Sequence, residues 1–458
     1  MTVRESSRVR WFLVFWIFVL SAVAFLDRVN ISIAGRSIAE TYHFSDVQLG
    51  WIFSAFLAGY AVFQTAAGRL ADRFGPRRVL AAGVVWWGVF TALTAALPVG
   101  IGSALWLFIG IRFLLGAGEA VVYPASNQFV ARWIPSQERG VANGWIFAGV
   151  GAGAGLTPPL ITYIMVREGW RSSFWACSLL GVIAGTIWFF VARDKPEEHP
   201  YVSPAELATI REGIDISEKG AIGNSLVGWR TMVRSKDVWA ITASYFSFGY
   251  VAWIFFSWFY IYLARVRGLN LKASAFYAML PFLAMATCCL IGGSVSDALT
   301  KTHGPRIGRC ILAAVSIAAA GVFLVFGSEA SSARVAGVVL AGGAGALYLS
   351  QSSFWSVTAD IGGTSSGAVS GFMNMGAQVG GAITASLTPW IAGRFGWAAS
   401  FLVAAALCGI GAVAWVFVDP AQKLPVSERA LSIAPQNLGV LAEAAGSAAA
   451  TRAKLGRN

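Results

Sequence analysis

The chain alternates between long apolar runs and short islands of charge. Twelve runs, each about 18 residues or longer, lie at 11–35, 47–68, 79–98, 104–131, 139–166, 172–192, 238–264, 272–297, 308–327, 334–359, 366–392 and 397–418. As helices they are long enough to cross a bilayer core of about 30 Å, and they are numbered here as spans 1 to 12. The pattern predicts an all-α membrane protein with 12 transmembrane helices. Composition agrees: 57% of the residues are hydrophobic and 12% charged, against about a quarter charged in soluble domains. The first run does not read as a cleaved signal peptide. It is too long, it holds Asp27 and Arg28, and further spans follow it.

The net charge of +12 invites a nucleic-acid reading, which the distribution excludes. Of the 34 Lys and Arg residues, the segments opposite the N-terminus carry only Arg36, Arg167, Arg171, Arg265, Arg267, Lys272, Arg334 and Arg394. Arg28 and Arg112 lie inside spans, and the rest share a side with the N-terminus. That bias places both termini in the cytosol. The expected setting is the cytoplasmic (inner) membrane, with the lipid bilayer as partner, no nucleic acid, and a monomer as the unit.

The chain repeats itself. GVANGW (140–145) parallels GAVSGF (367–372), and GWRSSF (169–174) parallels GWAASF (396–401), both at an offset of 227. GRLADRFGPRR (68–78) has a weaker echo in GSVSDALTKTHGPR (293–306). The reading is two six-helix halves in tandem, 1–192 and 237–418, related by an axis along the membrane normal. A cytosolic linker, 193–236, joins them. Its SPAE at 203–206 is a capping-box pattern that predicts a short helix. The tail, 419–458, is Ala-rich and polar and is expected to be disordered.

Charges deep inside spans are rare and costly, so they mark function. Here they are Asp27, Arg28, Arg112 and Glu119. Asp27 lies roughly 13 Å of helix rise from the outer flank of span 1, Arg112 roughly 12 Å into span 4, and Glu119 roughly 22 Å in. Arg112 and Glu119 are two turns apart and share a face. Arg28 offers a planar fork to a carboxylate. Burial favours the neutral form of a carboxyl, so Asp27 and Glu119 are the candidate proton carriers, with Arg112 expected to pair with Asp27. The three histidines, His43, His199 and His303, all lie in loops. The second half offers neutral polar groups and aromatics: Trp258, Ser352, Trp355, Asn374 and Gln378, joined by Tyr60 of span 2. The five cysteines have neither metal nor redox spacing, and no metal or cofactor is expected beyond H+ as the coupling ion. The spans contain no HExxH or GxSxG, which argues against an enzyme.

In GRLADRFGPRR, Gly68 permits close helix approach, Asp72 can meet the N-terminus of another helix, and the arginines hold the loop at the cytosolic face. This motif resembles the loop signature of the major facilitator superfamily. Gly68, Asp72, Arg73, Gly75 and Arg77 are therefore the expected gating residues. FLDRVNISIA, GWIFSAFLAGYAVFQTAAG, RFLLGAGEAVVYPASNQFVARW and FFSWFYIYL resemble the anion:cation symporter branch, which includes galactonate, glucarate and hexuronate permeases. DKPEEHPYVSPAE and FWSVTAD look like its bacterial sugar-acid members. The resemblance implies proton coupling through Asp27 and Glu119, with Arg112 as a second essential base. It implies substrate binding by Arg28, Trp355 and Asn374. Gly149 and Phe354 stand where those permeases can place polar residues, which implies a less polar pocket. Span 5, GVGAGAGLTPPL, suits close helix packing.

The function expected is proton-coupled import of an organic anion, a sugar acid (aldonate, aldarate or hexuronate), by alternating access. The alternatives are an exporter or exchanger of organic anions or drugs, and a non-transporting ligand sensor.

Overall fold

The computed structural model describes residues 7–214, 227–259, 262–269 and 271–425. Part of the linker and most of the tail, including the disorder expected there, lie outside the described residues. Among the described residues there is no strand. Eleven helical runs are long and apolar enough to cross a membrane. One of them, Ala333–Ala385, is 53 residues long, more than twice what one crossing needs. The short 3-10 turn Gly363–Ser365 divides it, so the described residues make twelve crossings.

Span 1 is Val9–Tyr42, span 2 Asp46–Phe74, span 3 Pro76–Ala96, span 5 Arg139–Glu168 and span 6 Trp170–Val191. In the second half, span 7 is Lys236–Ser257, span 8 Leu271–His303, span 11 Ser366–Phe395 and span 12 Trp397–Ala414. Span 9 opens with a π-helical stretch, Arg306–Ile311, and continues as Leu312–Glu329. Two spans are broken where the sequence predicts continuous helices. Span 4 is Ala104–Glu119 followed by Val122–Trp133, and span 10 is Ala333–Leu349 followed by Gln351–Gly362. The two breaks occupy corresponding places in the repeat. In span 7 the α-helix ends at Ser257, with Trp258 in a turn, and a π-helical stretch, Tyr262–Val266, follows over the expected end.

The packing follows the repeat. Span 1 packs on 5, 2 on 4 and 3 on 6; in the second half, 7 packs on 11, 8 on 10 and 9 on 12. The halves meet through two matching pairs, span 2 against 11 and span 5 against 8. Glycines make both meetings close. A Cβ on Gly68 would sit 2.0 Å from the Gly367 carbonyl oxygen, and one on Gly293 would sit 2.3 Å from that of Gly140. Only glycine tolerates such an approach.

The linker forms a helix, Pro204–Gly213, as its sequence predicts. Ser203 caps it by accepting from the Glu206 backbone N–H at 3.2 Å. The capping box is not reciprocal. The buried Glu206 carboxylate turns to the start of span 1, accepting from the backbone N–H groups of Val9 (3.2 Å) and Arg10 (3.1 Å) and from the Ser7 hydroxyl at 2.5 Å. The Arg10 guanidinium pairs with it at 3.3 Å. An acid at a helix N-terminus is favoured by the orphan N–H groups there. Glu206→Ala leaves those donors unmet, and each buried unmet donor costs about 1–3 kcal/mol. A clear drop in Tm is expected in detergent, smaller for Glu206→Gln; an unchanged melt would contradict the role.

Candidate substrate and proton site

A cavity of about 550 Å³ lies between the halves, within the usual range for small-molecule sites. Arg28, Tyr60, Trp355, Asn374 and Gln378 line it. Ser352 does not: its hydroxyl turns to span 8, donating to the Cys289 carbonyl at 3.4 Å. Its neighbour Gln351 lines the cavity instead. Trp258 is also elsewhere, donating its indole N–H to the Ala385 carbonyl at 3.2 Å. Phe354 packs against Tyr245, Phe248 and Trp415 outside the lining. Gly149 packs against Phe18 and Ser21 of span 1. The two departures from the sugar-acid permeases therefore bear on helix packing and do not coat the cavity.

Of the four intramembrane charges only Arg28 lines the cavity; Asp27, Arg112 and Glu119 are buried outside the lining. Arg28 and Glu119 form an ion pair, Nη2 to Oε1, at 3.3 Å. Its angle falls short of a hydrogen bond, and both Glu119 oxygens and the Nε and Nη2 of Arg28 lack hydrogen-bond partners. The Arg28 guanidinium sits over three rings, Phe25 at 4.5 Å, Tyr60 at 4.8 Å and Phe56 at 5.2 Å. Asp27 points away from the cavity, because neighbours on a helix project about 100° apart. Its Oδ2 accepts from the Thr91 hydroxyl at 2.7 Å, while its Oδ1 is unmet. The expected Asp27–Arg112 ion pair is absent in this conformation. Arg112 is still the strongest cationic neighbour of Asp27. It stacks over Phe56 at 5.0 Å, with Nε and Nη1 unmet.

Buried polar atoms are nearly always satisfied. Here unmet atoms concentrate on Asp27, Arg28, Tyr60, Arg112 and Glu119, and on Gln351 and Gln378 opposite. Such a set can exchange partners cheaply. It can open its ion pair to an incoming anion or take up a proton on a carboxylate.

Several lining residues escape the sequence reading. Tyr123 lies four residues after Glu119, a spacing that could have flagged it. Its ring stacks on Phe147, with centroids 4.8 Å apart. Tyr245 accepts from the Trp355 indole at 3.0 Å and from the Gln351 amide at 2.9 Å. Aromatic and amide residues are common in spans, and nothing local singles these out.

The cavity is sealed at the face carrying the 2–3 and 8–9 loops. Asp72 accepts from the backbone N–H groups of Gly367 and Ala368, both at 2.9 Å, at the start of span 11. Asp297 does the same at the start of span 5, with Gly140 at 2.9 Å and Val141 at 2.6 Å. Arg309 reinforces Asp297 at 2.9 Å, and Arg139 pairs with Asp360 at 2.6 Å. Arg139, Arg309 and Asp360 sit at span ends, and the sequence reading passes over them. Gly75 makes the turn into span 3 with φ 89°. Arg77 bonds within its own half, to the Phe189 carbonyl at 2.7 Å and to Asp194 through its backbone N–H at 2.9 Å. Arg73 is exposed, over the Phe74 ring at 5.3 Å.

Overpacking the Gly68–Gly367 contact costs roughly 1–3 kcal/mol, enough to tilt a balanced equilibrium against closure by about fivefold to a hundredfold. Gly68→Ala should thus slow uptake and raise the reactivity of a thiol placed by Ser366→Cys, a site buried in the closed face. Unchanged reactivity would contradict the closure described.

Twelve crossings in pseudo-symmetric halves around a central cavity that holds one buried arginine define a multi-pass membrane transporter. The family profile of the major facilitator superfamily matches residues 17–385 and 362–452, and the chain belongs to that superfamily. It is 31% identical to the probable sulfoacetate transporter of Cupriavidus necator, over 87% of this chain and 91% of that one. It is 30% identical to the probable galactarate/D-glucarate transporter of Bacillus subtilis, over 65% of this chain and 67% of that one. Among solved structures, the proton:xylose symporter bound to 6-bromo-6-deoxy-D-glucose superposes with a TM-score of 0.69 at 15% identity, covering 90% of this chain and 97% of that one. That likeness is one of fold.

Proposed function

We propose that the protein is a proton-coupled importer of an organic anion of the sugar-acid class, working by alternating access. The observation that carries this reading is the Arg28–Glu119 ion pair at the cavity wall, with both carboxylate oxygens otherwise unmet. Protonation of Glu119 removes its charge and frees the Arg28 guanidinium to bind the substrate carboxylate in bidentate fashion. The occupied site is then close to neutral, which favours closure of the halves around it. Once the cavity faces the cytosol, loss of the proton restores the Glu119 carboxylate, which competes for Arg28 and expels the anion. The names of the relatives support an organic-anion substrate. With the sealed face on the cytosolic side, the conformation described is the one that receives substrate from outside.

The test uses proteoliposomes holding a pH-sensitive dye. Adding a sugar acid outside should acidify the lumen as the anion enters with its proton. Saturable binding without acidification or flux would replace the importer reading with that of a sensor.

A further inference from the structure

We infer that the site takes a singly charged anion with a flat, ring-shaped body and discriminates against doubly charged open chains of similar size. This rests on the organic-anion reading above and narrows it. Two independent observations carry it.

The first is charge. Arg28 is the only charged side chain among the described residues that line the cavity. Arg112 is buried over the Phe56 ring and does not reach the lining. A substrate's first carboxylate can meet Arg28. A second, at the far end, would face the neutral amides of Gln351, Asn374 and Gln378. These amides can bond a hydroxyl or a carboxylate oxygen, but none carries a charge that would offset a second negative one. Gln351 spends its N–H on the Tyr245 hydroxyl. An uncompensated charge in a buried site is strongly disfavoured.

The second is shape. The wall between Arg28 and the amides is aromatic. Tyr123 and Phe147 stack at 4.8 Å, and Trp355 stands 4.8 Å from Phe147 and 5.7 Å from Tyr123. Across the cavity Phe256 stands 6.1 Å from Phe25 and 5.1 Å from Phe282. Flat aromatic surfaces gain most from a flat partner, either an aromatic ring or the apolar face of a pyranose. An extended polyol chain leaves its hydroxyls against rings that cannot bond them.

The test is calorimetry on purified wild-type protein at one pH with four probes. Galacturonate and 4-hydroxybenzoate are ring-bearing monoanions, gluconate is an open-chain monoanion, and glucarate is an open-chain dianion. The tighter of the two ring monoanions should bind at least tenfold more tightly than gluconate, with glucarate weaker still. Glucarate or gluconate matching or exceeding both ring compounds would overturn the inference while leaving organic-anion transport intact. Failure of all four to bind would overturn the organic-anion reading and this inference with it.

Discussion

Arg28→Lys should raise the substrate Kd about a hundredfold, or roughly 2.7 kcal/mol, while the protein still folds and melts near the wild-type temperature. The charge survives the change, so electrostatic attraction alone predicts little effect. What is lost is geometry. A guanidinium presents two parallel N–H donors to a carboxylate, whereas an ammonium is a compact point charge. The surroundings suit only the plane: Arg28 lies over Phe25, Tyr60 and Phe56, its Nε makes no hydrogen bond, and its Nη2 is engaged by the Glu119 carboxylate alone. A lysine there would also be more strongly hydrated and would fit the aromatic box poorly. Calorimetric titration of the mutant checks this. Affinity within threefold of wild type would show that Arg28 is not the carboxylate anchor.

Much of this site is legible in the sequence because charge is scarce against an apolar background. Asp27, Arg28, Arg112 and Glu119 stand out for that reason, and the structure gathers all four. Their pairing is not legible. Spacing along span 1 gives depth, and equal depth suggests Asp27 with Arg112. Rotation around the helix decides otherwise, placing Arg28 opposite Glu119 and Asp27 beside Thr91. The broken helices are likewise hidden. Nothing in Ala120 and Val121 or at Ser350 announces a break, and nothing in the sequence tells that Gln351, and not Ser352, faces the cavity. The repeat is the opposite case. Offsets of 225 between Gly68 and Gly293 and between Asp72 and Asp297 appear in three dimensions as matching seams. Each has a glycine at the helix crossing and an aspartate on a helix N-terminus. Such a seam is written in small residues and one acid, which survive as a text pattern. A cavity lining is assembled from faces of many spans and leaves no such pattern.

Glu119→Gln should separate binding from energy coupling. The amide keeps the shape of the protonated acid and removes its charge, so Arg28 is released from its ion pair. Substrate binding should be retained or strengthened, because the anion no longer competes with a carboxylate for the guanidinium. Exchange across the membrane should persist, since the neutral, occupied site can still close and reopen. Net accumulation should be lost, because no proton enters or leaves with the substrate. Asp27 does not substitute for it: its carboxylate bonds the Thr91 hydroxyl, whereas the partner of the substrate-facing Arg28 is Glu119. The decisive measurement is uptake of labelled substrate into proteoliposomes, with and without an inward proton gradient. Wild-type protein should concentrate the substrate only when the gradient is present. The Glu119→Gln protein should bring it to equilibrium at the same level in both conditions. Gradient-driven accumulation by the mutant would contradict the assignment and move the coupling site to Asp27.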